Sequence, residues 1–361
     1  MVSFAQFGNE LYTGKRSYNI VGRRRLWFQI AAGLAVISVL LLAFVRLNPG
    51  IEFRGGSEFQ VANVQTTDQS LAYEAVESLI TGHVARVSQV GSNTIRVQTE
   101  ALSDEQTTQL AQELAEAYDV PESEVTASFV GPAWGQDVTS KALRGLVIFL
   151  ALVTIVMAAY FRHWKMSVAA LVALLNDLLI TTGVYALIGF EVTPATVIGF
   201  LTIMGYSLYD TVVVFDKVRE NTAGVLEQTR YTYAEAANLA VNQTLVRSIN
   251  TSVVGLLPVG SILFVGSFLM GAGTLRDISL ALFVGLICST VSSIFVATPL
   301  EVWLRERDPR IREHNAKVLA ARTRVDDEGE VTVEEAVVGG LVAGEHLGQH
   351  AQPVRKRRRR K

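Results

Sequence analysis

Asp210 and Arg247 are ionisable side chains set inside stretches that are otherwise apolar over membrane length. The run Val192–Phe215 carries no formal charge except Asp210, and the run Val241–Leu275 none except Arg247. A charged group at the centre of a bilayer costs several kcal/mol, about 2.5–3.5 on insertion scales, so such residues face a polar interior and mark an ion path. A third carboxylate, Asp177, lies in mid-span beside Asn176. Asp210 precedes Asp216 and Lys217 by about six positions, roughly 9 Å at 1.5 Å per residue, and Arg247 stands just inside the cytoplasmic start of its own span. Both therefore belong to the cytoplasmic half, where an ion pair or a shared water cavity could form. A carboxylate there could take up and release protons as its surroundings alternate, because burial favours the neutral form and a nearby Arg the charged one. The same spacing also fits a static pair that fixes helix register, or an Arg247 that snorkels to the surface. For Asp177, structural hydrogen bonding and transport are both open.

The elements that must hold these groups are six apolar spans. Half of the residues are hydrophobic and mean hydropathy is +0.31. Taking about 20 residues per span, they fall at Leu26–Val45, Ala142–Phe161, Met166–Phe190, Val192–Phe215, Leu245–Val265 and Ile278–Leu304. Lys15, Arg16 and Arg23–Arg25 precede the first span, Arg162 and Lys165 separate the second from the third, Lys217 and Arg219 follow the fourth, and Arg305 and Arg307 follow the sixth. Basic residues at span ends favour the cytoplasm, which places both termini there. Between Asn48 and Gln136 acidic residues outnumber Arg and Lys by 13 to 3, and this segment falls outside. The first apolar run is too long for a signal core and no small-x-small site follows, so it reads as an uncleaved helix. Small residues (Gly199, Gly205, Ser248, Thr251, Ser252, Gly255, Ser289, Ser292, Ser293) allow close helix approach, and Pro258 predicts a kink.

The organisation follows as residues 1–25 cytoplasmic, 26–47 the first helix, 48–141 an extracytoplasmic domain, 142–304 the remaining five helices and 305–361 a cytoplasmic tail. The insert reads strand Glu58–Val64, helix Ser70–Ile80, strands Val84–Val90 and Thr94–Thr99 joined through Gly91-Ser92-Asn93, helix Asp104–Tyr118 and strand Glu124–Phe129. Ser103 and Gln106 form a capping-box pair. The order βαββαβ is ferredoxin-like. His83 stands alone and the carboxylates are spread over polar faces, which describes a solvated surface. Residues Lys217–Gln243 predict a short amphipathic helix on the membrane surface. The tail reads as largely disordered, and its terminal run Arg355–Lys361 would draw anionic lipid rather than a specific nucleic acid.

What is missing narrows the function. Gly14-Lys15 lacks the glycine spacing, the Ser/Thr and the preceding strand of a P-loop. No HExxH, GxSxG or Cys/His metal pattern occurs, so the chain is expected to be no enzyme and to carry no metal or cofactor. Cys288 is the only cysteine, which excludes an intrachain disulfide.

Several motifs then line up with a known family. Phe53-Arg54-Gly55-Gly56-Ser57 after the first span resembles the FxGG(S/T) signature of the SecD/SecF protein-export membrane proteins, as does Val130-Gly131-Pro132 before the second. Gly205–Asp216 running into Arg219-Glu220-Asn221, Asn242–Ser248 and the opening Leu11–Arg16 with Arg23–Trp27 resemble the SecF branch. Asn176-Asp177 departs from the family's frequent His-Asp. The resemblance covers Leu11 to Arg307. It implies half of a pseudo-symmetric twelve-helix unit of the RND superfamily, completed by SecD, in the bacterial cytoplasmic membrane. Such a unit uses the proton-motive force, with Na⁺ as an alternative ion, to help unfolded secretory polypeptide leave the SecYEG channel. Asp210 and Arg247 match the family's proton-path positions, and Phe53, Gly55, Gly56, Gly131 and Pro132 its domain-root motifs. Two rivals share the fold: a small-molecule RND exporter, which would need a far larger outer domain, and a non-transporting translocon scaffold that would tolerate neutralised Asp210 and Arg247.

Overall fold

A computed structural model of the protein describes residues 4–79, 85–266 and 273–328. His83, the start of the expected strand at Val84 and the basic tail lie outside the described residues. A short helix α1 (Phe4–Tyr12) leads to the first span, α2 (Arg24–Phe44). After it come strand β1 (Asn48–Pro49), helix α3 (Ile51–Arg54), β2 (Gly56–Val61), α4 (Ser70–Leu79), β3 (Arg86–Val90), β4 (Thr94–Thr99), α5 (Asp104–Ala117) and β5 (Val125–Val130). The remaining spans are α6 (Pro132–Phe161), α7 (Trp164–Ile188), α8 (Pro194–Thr222), α9 (Tyr233–Ser261) and α10 (Gly273–Ser292), which continues into α11 (Thr298–Arg305). Strand β6 (Glu191–Val192) precedes α8, and α12 (Pro309–Glu328) follows α11. Among the described residues, six helical stretches are long and apolar enough to cross a membrane.

The small domain is an antiparallel sheet in the order β3-β4-β2-β5. That is the ferredoxin-like order, with the first strand central and the last at one edge. Alternation along the strands sends Phe59, Val61, Ile95 and Val97 under the helices, against Ala72, Val76, Leu110 and Leu114. The Ser103–Gln106 capping box forms as expected.

Two elements are longer than composition suggests. Helix α6 begins at Pro132, ten residues before its apolar run, because a proline at the first position leaves no amide to satisfy and the polar opening turns pack against α3. Residues 233–241 are not a separate surface helix. They are the opening turns of α9, started by the Thr232–Glu235 capping box, and their apolar face (Tyr233, Ala236, Ala237, Ala240, Val241) is buried in the bundle core. The N-terminal segment covers them: the Tyr18 amide donates to Asn242 Oδ1 (2.7 Å), and those of Ile20 and Val21 donate to Asn238 Oδ1 (2.9 and 3.0 Å).

Pro258 lies inside α9, four residues before a π-helical segment at Ile262–Gly266, and a second π segment, Ser293–Ala297, joins α10 to α11. Helices pack closest where glycine removes a side chain. A Cβ on Gly183 would lie 2.3 Å from Ser38 Oγ, one on Gly199 2.7 Å from Ala281 Cβ, and one on Gly285 2.2 Å from Ile203 Cδ1. These contacts draw α2 onto α7 and α8 onto α10, so that α7, α8 and α10 form the centre of the bundle.

Candidate intramembrane coupling site

Helix α8 opens with a Thr193–Thr196 capping box and Pro194 in its first turn, then runs inward from the domain side. Thr196, Gly199, Phe200, Ile203, Met204, Ser207, Asp210, Thr211 and Val214 are all buried, at the three- and four-residue spacing of one helix face. Asp210 is 5% exposed. Its Oδ1 accepts from Ser248 Oγ of α9 at 2.8 Å, and its Oδ2 accepts from Ser293 Oγ at the start of the π segment. One turn earlier on α8, Ser207 Oγ donates to Asp177 Oδ2 of α7 at 2.7 Å. Asp177 is 2% exposed, and the Ser292 hydroxyl of α10 also faces its carboxylate.

These contacts form one polar seam across four helices. Ser252 Oγ donates to the Ser248 carbonyl (2.9 Å), and Thr290 Oγ1 lies 2.6 Å from Ser252 Oγ. The hydroxyl of Ser289, on the same stretch of α10, is buried without a partner among the described residues. A buried polar group left unpaired costs about 1–3 kcal/mol. The seam therefore keeps hydrogen-bonding capacity free for a proton or for water. Among the described residues no group of His, Cys, Asp and Glu side chains is arranged to hold a metal.

Arg247 is placed differently from the expected pair. It precedes Ser248 by one residue, which turns it about 100° around α9, and it is exposed. No ion pair joins it to Asp210 among the described residues. Two neutral hydroxyls thus hold the carboxylate, and the guanidinium points out of this bundle. Sequence reasoning noticed Ser248, Ser289, Ser292 and Ser293 as small packing residues. Their other capacity, donating to a carboxylate, is visible only once the helices are in register.

The outer end of α8 is tied to the soluble domain. Strand β6, two residues ahead of α8, pairs in parallel with β1. Glu191 Oε1 accepts from Gln98 Nε2 at 2.7 Å, and Arg96 of β4 lies 3.5 Å from Glu191 and 3.6 Å from Glu58. Thr193 Oγ1 donates to Asp277 Oδ2 of α10 at 3.0 Å. Glu52 stands in the same cluster, and burial, joined by the charges of Glu191 and Glu58, raises its carboxyl above the usual range. Charges so far apart in sequence gave no sign of this latch.

The root motifs meet as well. Gly55 (φ +79°) and Gly56 (φ +146°) take backbone conformations that side chains disfavour. A Cβ on Gly55 would sit 2.9 Å from the Pro132 backbone, one on Gly56 2.4 Å from the Thr99 carbonyl, and one on Gly135 2.7 Å from the Phe53 carbonyl. Gly131 caps α6, and Gly56 is in register with Val130. Phe53, Gly55 and Gly56 on one side, and Gly131 and Pro132 on the other, therefore make a close backbone joint between the domain and α6.

Residues 109–307 match the family of SecD/SecF protein export membrane proteins, C-terminal part. The protein translocase subunit SecF of Streptomyces coelicolor is 44% identical over 345 residues, covering 96% of this chain and 92% of that one. The chain belongs to the SecD/SecF family. Mycobacterium tuberculosis SecF is 43% identical, over 88% of this chain and 73% of its own. The crystal structure of Thermus thermophilus SecDF, in which the matching part is 39% of a longer chain, superposes over 81% of this chain with a TM-score of 0.71 at 32% identity. These matches agree with the resemblance carried by the Phe53–Ser57, Val130–Pro132 and Gly205–Asp216 motifs, and with six spans around one small α+β domain.

Proposed function

We propose that the chain is the SecF-type subunit of a protein-export machine, which works with SecD and uses a proton gradient to promote the late passage of secretory polypeptide through SecYEG. The observation that carries the reading is Asp210. It is a buried carboxylate held by two hydroxyls, on a helix whose outer end is latched to the soluble domain. In its charged form Asp210 receives strong hydrogen bonds from Ser248 and Ser293, binding α8 to α9 and to the sixth span. A proton on the carboxylate weakens both bonds and lets the helices slide. Thr193 and Glu191 carry that movement to Asp277, Arg96 and Gln98, hence to the domain that handles the emerging chain. Asp177, joined through Ser207, is a second protonatable station one turn away. No covalent chemistry is required, so the protein acts as no enzyme.

The partner is supported by exposed polar groups at membrane depth. Arg247 and Asn250 of α9 and Thr202 of α8 face out of this bundle, where hydrocarbon would be costly and another helical subunit would not. Fusion of the two halves in the Thermus protein is consistent with SecD as that subunit. The acidic domain then lies outside the bacterial cytoplasmic membrane and both termini lie inside it.

The test is export of a secretory protein in membranes with and without a proton gradient, carrying wild-type or Asp210→Asn protein at matched abundance. Asn has the same shape and can still accept from Ser248, so folding is retained. One charge moving through 100 mV is worth about 2.3 kcal/mol, a factor of about forty at 1.4 kcal/mol per tenfold. The variant should lose the gradient-stimulated part of export. Stimulation equal to wild type would reduce Asp210 to a packing residue and favour a translocon scaffold. Replacing the proton gradient by a sodium gradient identifies the ion.

A further inference from the structure

The cytoplasmic end of the sixth span holds a carboxylate that the coupling site does not use. Glu301 of α11 is completely buried. Its Oε1 accepts from Tyr233 Oη of α9 at 2.7 Å and lies 3.3 Å from Arg305 Nε. Its Oε2 is buried and has no hydrogen-bond partner among the described residues. Lys165 of α7 also faces the group, and lies 3.7 Å from Asp308. A residue needed only to anchor Tyr233 and Arg305 gains nothing from a second oxygen left unpaired in the core.

Its place along the helix suggests what that oxygen does. Ser289, Ser292, Ser293, Thr298 and Glu301 are all buried on one span. The π segment lies between Ser293, which holds Asp210, and Thr298, whose Oγ1 donates to the Ser293 carbonyl at 3.3 Å. Glu301 follows Ser293 by eight residues, roughly 12 Å along the helix. By their sequence positions, Val214 and Phe215, one turn after Asp210, and Ile294 and Ala297, between Ser293 and Glu301, make an apolar layer of the buried core between the two carboxylates. On the far side, Arg305 lines a surface cavity together with His163, Lys165, Asp308 and Arg310. π segments inside helices recur at functional sites and give a helix a second way to wind.

We propose that Glu301 is the inner proton acceptor of the coupling path, resting on the reading of Asp210 given above. When the apolar layer parts and admits water, the Oδ2–H bond of protonated Asp210 breaks, its electron pair stays on Asp210, and the proton passes through water to Oε2 of Glu301. Neutral Glu301 loosens its hold on Arg305. The Oε2–H bond then breaks in turn, the proton leaves to water in the Arg305 cavity, and Glu301 is again a carboxylate paired with Arg305. Tyr233 from α9, Lys165 from α7 and Arg305 from its own helix are the titratable and charged groups that face it and set the pH at which it works.

The experiment uses inverted membrane vesicles containing the full chain with its partner, so that the cytoplasmic face meets the medium. Gradient-stimulated export is measured against medium pH for wild type, Asp210→Asn, Glu301→Gln and Glu301→Asp at matched abundance. Glu301→Gln should lower the stimulated component at least tenfold and flatten its pH profile, and Glu301→Asp should restore both in part. Tyr233→Phe, which keeps the carboxyl and removes one partner, should retain stimulation with a displaced profile. If Glu301→Gln keeps wild-type stimulation and pH dependence while Asp210→Asn loses them, Glu301 is structural and the reading of Asp210 stands. A loss in Glu301→Gln that is the same at every pH likewise overturns the inference. If Asp210→Asn itself keeps full stimulation, the reading of Asp210 falls and takes Glu301 with it.

Discussion

Gly285→Ala places one methyl group where α10 meets α8, two turns from the carboxylate. A Cβ there would lie 2.2, 2.6 and 2.7 Å from Cδ1, Cγ2 and Cγ1 of Ile203. Carbon atoms pack at about 3.5–4.0 Å, so Cδ1 must retreat by about 1.3 Å and the whole side chain with it. Ile203 is 4% exposed and packed with Tyr185, Phe200 and Ala281, and a β-branched side chain has little freedom at χ1. Either Ile203 leaves its rotamer or the helices part by about 1 Å, and overpacking of this kind costs about 1–3 kcal/mol. Ile203 lies seven residues before Asp210 and Gly285 eight before Ser293, so the same two rods carry the separation to that hydrogen bond. We expect a loss of about 2 kcal/mol in reversible unfolding of the purified protein, and a fall in gradient-stimulated export at matched abundance. Ile203→Ala removes all three clashing atoms. Its own cavity cost and the overpacking cost of Gly285→Ala should therefore combine to less than their sum by about 1 kcal/mol or more. Wild-type stability and export in Gly285→Ala, or strict additivity with Ile203→Ala, would show that this contact does not set the α8–α10 distance.

Two further outcomes concern the domain root. Gly55→Ala meets both a positive φ and the Pro132 backbone at 2.9 Å, so it should destabilise the joint by about 1–3 kcal/mol, read as a lower melting temperature of the domain; an unchanged value would mean the chain bends there freely. For Glu52, the folded protein holds the proton more tightly than the unfolded chain does, because of burial first and then the charges of Glu191 and Glu58. Its stabilising contribution is therefore complete below the ordinary Glu range, about 4.3, and is lost as pH rises through the raised folded value. Melting curves between about pH 4 and pH 7 should fall more with pH in wild type than in Glu52→Gln, and parallel curves would remove Glu52 from the latch.

Much of the architecture could be read from local patterns. In the soluble domain each strand and helix has a period that local burial imposes, and the helix at Ser70 and the strand at Thr94–Thr99 begin where the pattern puts them. The spans were legible because bilayer thickness sets their length. Composition failed where tertiary cover decided the outcome. The opening turns of α6 are polar yet helical, since Phe53 and Gly55 pack on them. The opening turns of α9 are apolar on one face because the N-terminal segment, joined through Asn238 and Asn242, covers them. Arg247 and Glu301 were misplaced or passed over for a related reason. A charge near a span end has the same sequence signature whether it faces a carboxylate, a partner or the core, and only helix rotation separates these cases. Glu301 lies four residues before Arg305 at the end of a span, and only its complete burial sets it apart.

The choice of serine around Asp210 bears on how the site could alternate. A hydroxyl donates to a carboxylate and, by rotating, accepts from a carboxylic acid. Ser248 and Ser293 can therefore keep the polar atoms of Asp210 partnered in either state, strongly when it is charged and more weakly when it is neutral. A guanidinium has only donors and a fixed charge, so in the same position it would bind the charged state alone and leave a buried, unpaired cation once the proton arrived, at a cost of several kcal/mol. Such a cradle suits a static pair; two hydroxyls suit a group that must change charge on each cycle. Exchange of Ser293 for Asn, which also both donates and accepts, is thus a milder change in kind than exchange for Lys, even though both enlarge the side chain.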